Sequence, residues 1–282
     1  MEFVSRYVSH QPDDQGFVLY SPEEQGTWQL LFERQMKLIP GRACDEFTQG
    51  LQKLGLTAEA IPQLPELSRN LSALTDWKVA PVNALISARA FFELLATRRF
   101  PAATFIRRRE ELDYVQEPDI FHELFGHCPL LTNPIYADFV HVYAKTVLER
   151  PESDWPLLQR LFWFTVEFGL IRTTKGLRAY GGGILSSISE TVYSVESDVP
   201  LRVLFDPLSA FRVPYRIDKL QCVYFVIDSY QQLYDFLRAD LSELIKRARS
   251  LGEYPPFFQV EQHNPSIQID ILKPTELVNT FS

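Results

Sequence analysis

The sequence predicts a mainly α-helical, single compact domain with minor short β-strands. Apolar residues recur at helical spacing in the first third of the chain and again near its end, and strand-like alternation is confined to one short late segment. With 282 residues, of which 46% are hydrophobic, the chain can bury one large core. We expect residues 1–20 to form an extended arm with a turn, residues 21–272 to form the domain, and residues 273–282 to form a tail.

The first helix has the clearest start signal. Ser21 suits the N-cap, Pro22 suits the first helical position, and Glu24 completes a capping box. Short helical patterns separated by glycine and proline continue to about Asn70, and a further pattern runs from about residue 86 to residue 98. We therefore expect the first third of the chain to be helical.

Two elements are predicted near the C-terminal end. Apolar residues between Asp228 and Leu251 share one helical face, and the pattern stops at Gly252, which predicts one amphipathic helix. Isoleucines alternate with polar residues between positions 267 and 271, after an Asn-Pro pair, which predicts a strand.

Charge and cysteine content narrow the function classes. A net charge of −8 and a pI near 5.2 argue against nucleic-acid or anionic-membrane partners, so a small-molecule substrate is expected. We find no pattern of a signal peptide or transmembrane helix and expect a cytoplasmic protein. Cys44, Cys128 and Cys222 are odd in number and widely spaced, which favours reduced thiols. Cys128 adjoins a histidine, but we expect it to be buried rather than a metal ligand.

The segment from Pro118 to Pro129 carries the strongest chemical signal. It contains His122 and His127, and Glu123 makes it resemble the zinc-peptidase HExxH motif superficially. In that motif the histidines are four residues apart, whereas here they are five apart, which turns the second side chain about 140° from the first on an ideal helix. Two histidines could bind one ion here only where the helix is irregular, near Pro118 or Gly126. Hydrogen-bonded core histidines are the alternative.

Glu167 is the candidate third ligand. It lies in the segment LFWFTVEFGLI, which is apolar on every face, and a buried carboxylate there needs a compensating cation. Two histidines and one carboxylate with open positions form the ligand set of non-haem Fe(II) oxygenases, but His₂Glu also binds zinc in hydrolases. The ligand types alone do not separate iron from zinc.

Two other segments have less specific patterns. Residues 179–187 (AYGGGILSS) lack the spacing and the GK[ST] ending of a phosphate-binding loop, so a tight turn packed against a site is expected. Arg107, Arg108 and Arg109 form a basic run, which is usually a solvated face, although one buried arginine could bind a substrate carboxylate.

Taken together, these motifs resemble the catalytic domain of the pterin-dependent aromatic amino acid hydroxylases. The segment containing Pro118, His122 and His127 is similar to that family's iron motif, WFTVEFGL to its glutamate segment, and residues 179–190 to its AYGxGxLSSxxE stretch. The similarity extends from about residue 21 to residue 272, and it implies the mainly helical fold of that catalytic domain. It also implies that Fe(II) and a tetrahydropterin, such as tetrahydrobiopterin, activate O₂ to hydroxylate an aromatic amino acid.

The resemblance also implies roles for individual residues. The iron ligands would be His122, His127 and Glu167. Ser186 would orient the first histidine, and with Glu123 it is expected to act in catalysis. The remaining residues fall into two implied groups: a pterin pocket of Val82, Leu85, Ile86, Phe91 and Glu123, and an amino-acid pocket of Arg107, Tyr114, Pro118, Trp163 and Ser186.

Several positions depart from the longer family members or bear on specificity. Ala84, Ala88 and Phe162 stand where those members often have glycine, serine and tyrosine. Family members acting on tryptophan typically have phenylalanine at the place of Trp163, and tyrosine-specific members tend to have aspartate where Ile217 stands. Phenylalanine is therefore the expected substrate. We also expect a monomer or weak dimer and a dependence on separate pterin-recycling enzymes.

Overall fold

The computed structural model describes residues 5–255. Eleven α-helices and six short strands occur in this part of the chain. The helices are α1 (Pro22–Leu38), α2 (Asp45–Leu54), α3 (Leu64–Thr75), α4 (Ala88–Leu95), α5 (Pro134–Glu149), α6 (Trp155–Phe162), α7 (Gly182–Leu185), α8 (Ile188–Glu196), α9 (Pro207–Arg212), α10 (Tyr230–Phe236) and α11 (Leu241–Leu251). The strands are β1 (Lys78–Val82), β2 (Arg99–Ala103), β3 (Leu170–Thr173), β4 (Gly176–Ala179), β5 (Leu201–Leu204) and β6 (Val223–Ile227). The predicted mainly helical class is confirmed.

The strands form two small sheets. β1 and β2 pair in parallel, with Val82 opposite Ala103. The second sheet has the order β4-β3-β6-β5, in which β3 and β4 are antiparallel while β6 is parallel to both β3 and β5. All five residues of β6 are buried, as expected for a central strand covered on both faces.

The start of α1 follows the sequence prediction. The Ser21 side chain accepts a hydrogen bond from the Glu24 amide, and the Glu24 carboxylate accepts one from the Ser21 amide, which is the predicted capping box. Trp28 and Leu31 lie on the buried face of the helix. Trp28 and Phe121 pack edge to face, so α1 covers the segment that carries the two candidate histidines.

Three predictions about elements need correction. The first third is not purely helical, because it also contains β1 and β2. The helix expected up to Arg98 ends at Leu95, and Arg98 adopts a left-handed conformation immediately before β2. The helix expected between residues 228 and 251 is two helices, because Asp240 caps a new helix by accepting a hydrogen bond from the Glu243 amide.

Several other expectations can be placed against the fold. Val18 and Tyr20, at the end of the arm, belong to the main hydrophobic core. The predicted strand between residues 267 and 271 lies outside the described residues, and the division into arm, domain and tail stays a prediction. Between residues 5 and 255, no helix is both long and apolar enough to cross a lipid bilayer.

Candidate active site

Both candidate histidines lie on a π-helical segment, His122–His127. In a π-helix the backbone hydrogen bonds connect residues five apart, so side chains with that spacing lie on the same face of the helix. This is the irregularity that the five-residue spacing required. The two Nε2 atoms are 3.1 Å apart.

Close glycine packing holds this segment in place. A Cβ atom at Gly126 would lie 2.7 Å from the Gly182 carbonyl oxygen, and one at Gly182 would lie 2.4 Å from the His127 ring. Any side chain at these positions would push the π-helical segment away from α7. The glycine-rich segment is therefore packed against the site, as predicted, and is not arranged as a phosphate loop.

Glu167 ends a second π-helical segment, Trp163–Glu167, which continues directly from α6. Its Oε2 atom is 3.2 Å from His127 Nε2 and 3.6 Å from His122 Nε2. Three atoms each about 2.1 Å from one ion lie roughly 3.0 Å apart at octahedral angles and roughly 3.4 Å apart at tetrahedral angles. The triangle fits a single metal ion, and its dimensions do not separate iron from zinc.

Hydrogen bonding to Ser186 fixes the tautomer of His122. The Ser186 hydroxyl donates to the Gly182 carbonyl oxygen at 2.8 Å, so its oxygen accepts from His122 Nδ1 at 2.9 Å. His122 Nε2 then presents a lone pair to the space between the three side chains. His127 can donate at most one proton to this space, so further acceptors there remain available to a cation.

The charge states of His122 and Glu167 also favour the binding of a metal ion. Burial lowers the pKa of His122 to about 4, so the imidazole is neutral near pH 7. Burial acts to raise the pKa of Glu167, but the two neighbouring histidines overcome this effect and hold that pKa below its ordinary value. Neutral imidazoles and an ionised carboxylate are the forms that bind metal ions.

Glu123 is the competing carboxylate at this site. One of its oxygens and the ligand nitrogens of His122 and His127 all lie within 4.8 Å of one another. Burial, followed by the nearby charges of Glu167 and Asp119, raises the pKa of Glu123 well above its ordinary value. A carboxyl group with a raised pKa gives up its proton less readily to a metal ion, so Glu167, whose pKa is lowered, is the better candidate. Burial likewise raises the pKa of the fully buried Cys128 well above its ordinary value, which argues against a thiolate ligand.

A cavity of about 540 Å³ opens above the candidate metal site. A volume of this size is typical of small-molecule sites. His122 and Glu167 reach it, whereas His127 is buried behind them. All five residues of the expected amino-acid pocket line it, namely Arg107, Tyr114, Pro118, Trp163 and Ser186.

Arg107 is the buried member of the basic run, while Arg108 and Arg109 are exposed. Its Nε and Nη2 atoms donate to the two carboxylate oxygens of Asp119 at 2.7 and 2.8 Å. Because that ion pair uses only one edge of the guanidinium, the Nη1 edge is left to bind a second carboxylate in the cavity. Asp119 also accepts from the His122 amide at 3.0 Å, so it connects the arginine to the start of the π-helical segment.

The expected pterin residues lie outside the lining of this cavity. Val82 ends β1, Leu85 is 42% exposed, and Ile86 is half-buried before α4. Phe91, on α4, is half-buried and makes edge contacts with Phe92 and Phe162, with ring centroids 5.4 Å apart in each pair. The structure therefore leaves part of the Phe91 ring accessible, but it does not join this group to the substrate cavity.

Sequence reasoning assigned no role to Asp119, Glu190 or Gln221. Asp119 had a usable signal, because aspartate is a preferred N-cap residue. It accepts a hydrogen bond from the amide three residues later, that of His122, as N-cap residues do. Glu190 and Gln221 are almost fully buried polar residues that line the cavity. Their partners are distant in sequence, as in the hydrogen bond between Gln221 and Trp163 across 58 positions. Gln221 had no detectable signal, whereas Glu190 is the final residue of the AYGxGxLSSxxE stretch, from which no role was inferred for it.

Comparisons with known proteins agree with this geometry. Residues 6–277 match the family described as biopterin-dependent aromatic amino acid hydroxylase. A phenylalanine-4-hydroxylase of Pseudomonas aeruginosa is 53% identical, over 92% of this chain and 98% of the relative. The structure of phenylalanine hydroxylase from Legionella pneumophila superposes with a TM-score of 0.88 at 71% identity, covering 89% of this chain and 100% of that one. A Chromobacterium violaceum phenylalanine hydroxylase with bound oxidised Fe(III) has a TM-score of 0.84 at 43% identity, covering 93% and 96%. The chain therefore belongs to the family of biopterin-dependent aromatic amino acid hydroxylases.

Proposed function

We propose that this chain is a phenylalanine 4-monooxygenase, which uses O₂, Fe(II) and a tetrahydropterin to convert L-phenylalanine into L-tyrosine. The main supporting observation is the triangle of His122, His127 and Glu167 beside a cavity that Arg107 also lines. The named activity of the Pseudomonas and Legionella relatives, and the iron of the Chromobacterium structure, support the proposal.

The protein side chains would act by binding and orientation. His122, His127 and Glu167 would hold Fe(II), and Ser186 would keep the His122 ring in its ligating tautomer. When bound, the iron and the reduced pterin together supply O₂ activation. Glu123 lies beside the metal ligands, and its raised pKa favours the protonated form, which would donate a hydrogen bond to the pterin or to a water molecule.

Substrate positioning would come from the cavity walls. The Nη1 edge of Arg107 would bind the amino-acid carboxylate in a bidentate manner, as guanidinium groups do. Pro118, Trp163 and Tyr114 would flank the aromatic ring, and the fixed distance between arginine and metal would place the ring near the iron.

We expect Phe91→Ala to weaken pterin binding selectively. An accessible phenylalanine face offers offset stacking to a planar heterocycle, and its loss should raise the apparent KM for the pterin about tenfold. The KM for phenylalanine should change little, because Phe91 does not line the substrate cavity. Phe92→Leu, a change to the fully buried neighbour, is the control for general destabilisation. Equal pterin KM values for wild type and a stable Phe91→Ala variant would place the pterin elsewhere.

Steady-state assays with phenylalanine, tyrosine and tryptophan test the proposed substrate. Trp163 and Ile217 both line the cavity; the bulk of the Trp163 indole should leave less room for a tryptophan substrate, and Ile217 is aliphatic. Asp218, its neighbour, forms an ion pair with Arg216. At saturating pterin and iron, phenylalanine should give the highest kcat/KM, with slow tyrosine oxidation because apolar contacts reject an added hydroxyl group only weakly. A preference for tyrosine or tryptophan would contradict the assignment.

The cellular setting follows from the same proposal. Each turnover oxidises the pterin, so we propose that pterin-recycling enzymes are functional partners. All three cysteines are free, which suits a reducing compartment, and we propose the cytoplasm. We propose a monomer or a weak dimer as the oligomeric state.

A further inference from the structure

Gln221 uses its whole side-chain amide to join two walls of the cavity. Its Oε1 atom accepts from the Trp163 indole nitrogen at 3.0 Å, and its Nε2 atom donates to the carbonyl oxygens of Arg216 at 2.8 Å and Lys219 at 3.2 Å. The indole can only donate and the carbonyls can only accept, so this orientation of the amide is the one that satisfies all three bonds. Gln221 is 4% exposed, so solvent does not replace these partners easily.

The backbone amide of Gln221 is held by the buried carboxylate of Glu190. Its amide donates to Glu190 Oε1 at 3.1 Å, and the Tyr224 hydroxyl donates to the same oxygen. Glu190 lies on α8 and Tyr224 on β6, and both are buried in the core. Gln221 therefore connects its side-chain partners to buried residues of α8 and β6.

The orientation of the Trp163 ring depends on its hydrogen bond to the Gln221 side chain. Tyr215 stacks on the indole at a centroid distance of 4.7 Å and an angle of 27°, and Phe168 lies 4.6 Å from it at 36°. Such contacts define the plane of the ring but permit sliding within that plane. The hydrogen bond from the indole nitrogen to Gln221 is directional, so it fixes the ring within the plane.

The other two hydrogen bonds, to the Arg216 and Lys219 carbonyl oxygens, hold a loop that forms another part of the cavity wall. Residues 216–220 contain Ile217 and Leu220, which line the cavity and are 53% and 41% exposed. We infer that Gln221 is a positioning residue for substrate discrimination, holding the Trp163 wall and the Ile217 loop at a fixed separation around the substrate ring. This inference rests on the proposed function and adds a determinant of its substrate class.

Gln221→Glu removes both amide donors while keeping the shape of the side chain, and Gln221→Leu removes all three hydrogen bonds. Both changes should raise the KM for phenylalanine about tenfold and increase the fraction of pterin oxidised without amino-acid hydroxylation. The pterin KM and the iron content should stay within twofold of wild type. Amide hydrogen exchange in residues 214–221 should accelerate, while exchange in α1 should not change.

Gln63→Glu is the matched control. Gln63 also binds backbone groups through its amide, accepting from the Val18 amide at 2.8 Å and donating to the Val18 carbonyl at 3.0 Å, but it does not line the cavity. This variant should lose thermal stability without any change in phenylalanine KM. A comparable KM increase in Gln63→Glu would show that general destabilisation, and not positioning, explains the effect.

Trp163→Phe removes the hydrogen bond between Trp163 and Gln221 by deleting its donor, the indole nitrogen. If Gln221 acts by joining the two walls, the KM increases of Trp163→Phe and Gln221→Leu should not multiply in the double variant. Fully multiplicative effects, or wild-type exchange rates in residues 214–221 of both Gln221 variants, would overturn the inference. A wild-type protein inactive towards phenylalanine would refute the proposed function instead, and hydrogen exchange would still decide whether Gln221 holds the loop.

Discussion

Replacing His127 with alanine is expected to abolish both iron binding and hydroxylation. The variant removes one corner of the triangle, leaving His122 and Glu167 with their ligand atoms 3.6 Å apart. Two ligands without the third bind a divalent ion weakly, and the reaction has no cofactor without the ion. Iron content after anaerobic reconstitution and tyrosine formation should both fall to background.

His141→Ala is the control for this variant. His141 is a half-buried histidine on α5 that lies outside the cavity lining, so its removal should preserve iron content and activity. Thermal unfolding should be measured for both variants, because His127 packs tightly against Gly182. A folded His127→Ala protein with stoichiometric iron and full turnover would remove His127 from the ligand set.

The second large effect is expected from Arg107→Lys. Lysine keeps the positive charge but cannot bind Asp119 and a substrate carboxylate with two separate edges. Losing one hydrogen bond between charged groups costs roughly 1.5–3 kcal/mol, so the KM for phenylalanine should rise by roughly 10- to 100-fold. The pterin KM should stay near the wild-type value.

Arg108→Lys makes the same change one residue later, at an exposed position, and should leave both KM values unchanged. The loss of the buried ion pair with Asp119 will also lower stability, so assays should be made well below the unfolding temperature of each variant. An Arg107→Lys enzyme with wild-type phenylalanine KM would mean that another group binds the substrate carboxylate.

The local sequence predicted the parts of the fold that depend on local chemistry. The capping box at Ser21 and Glu24 determines where α1 begins, and the five-residue spacing of His122 and His127 predicted a distorted helix. The break between α10 and α11 was missed because apolar periodicity continues through it, whereas the cap formed by Asp240 interrupts the backbone.

The site residues that lie in recognisable motifs, or that match the resembled family, could be predicted from the sequence, and the other site residues could not. All five residues of the expected amino-acid pocket line the cavity; four of them belong to segments with recognisable patterns, whereas Tyr114 was expected from the family resemblance alone. The link from Glu190 through Gln221 to Trp163 is tertiary, and nothing in the spacing of these residues indicates that they meet. Four of the five expected pterin residues share the segment from Val82 to Phe91, and the fifth, Glu123, lies in the π-helical segment, but their joint role stays a prediction.

Anomalous diffraction at the iron absorption edge, on crystals reconstituted with Fe(II), tests the metal assignment most directly. The geometry predicts one iron peak within bonding distance of His122 Nε2, His127 Nε2 and a Glu167 carboxylate oxygen, with Glu123 outside the coordination sphere. A peak bonded to Glu123 in place of Glu167, or an iron site away from the two histidines, would contradict it.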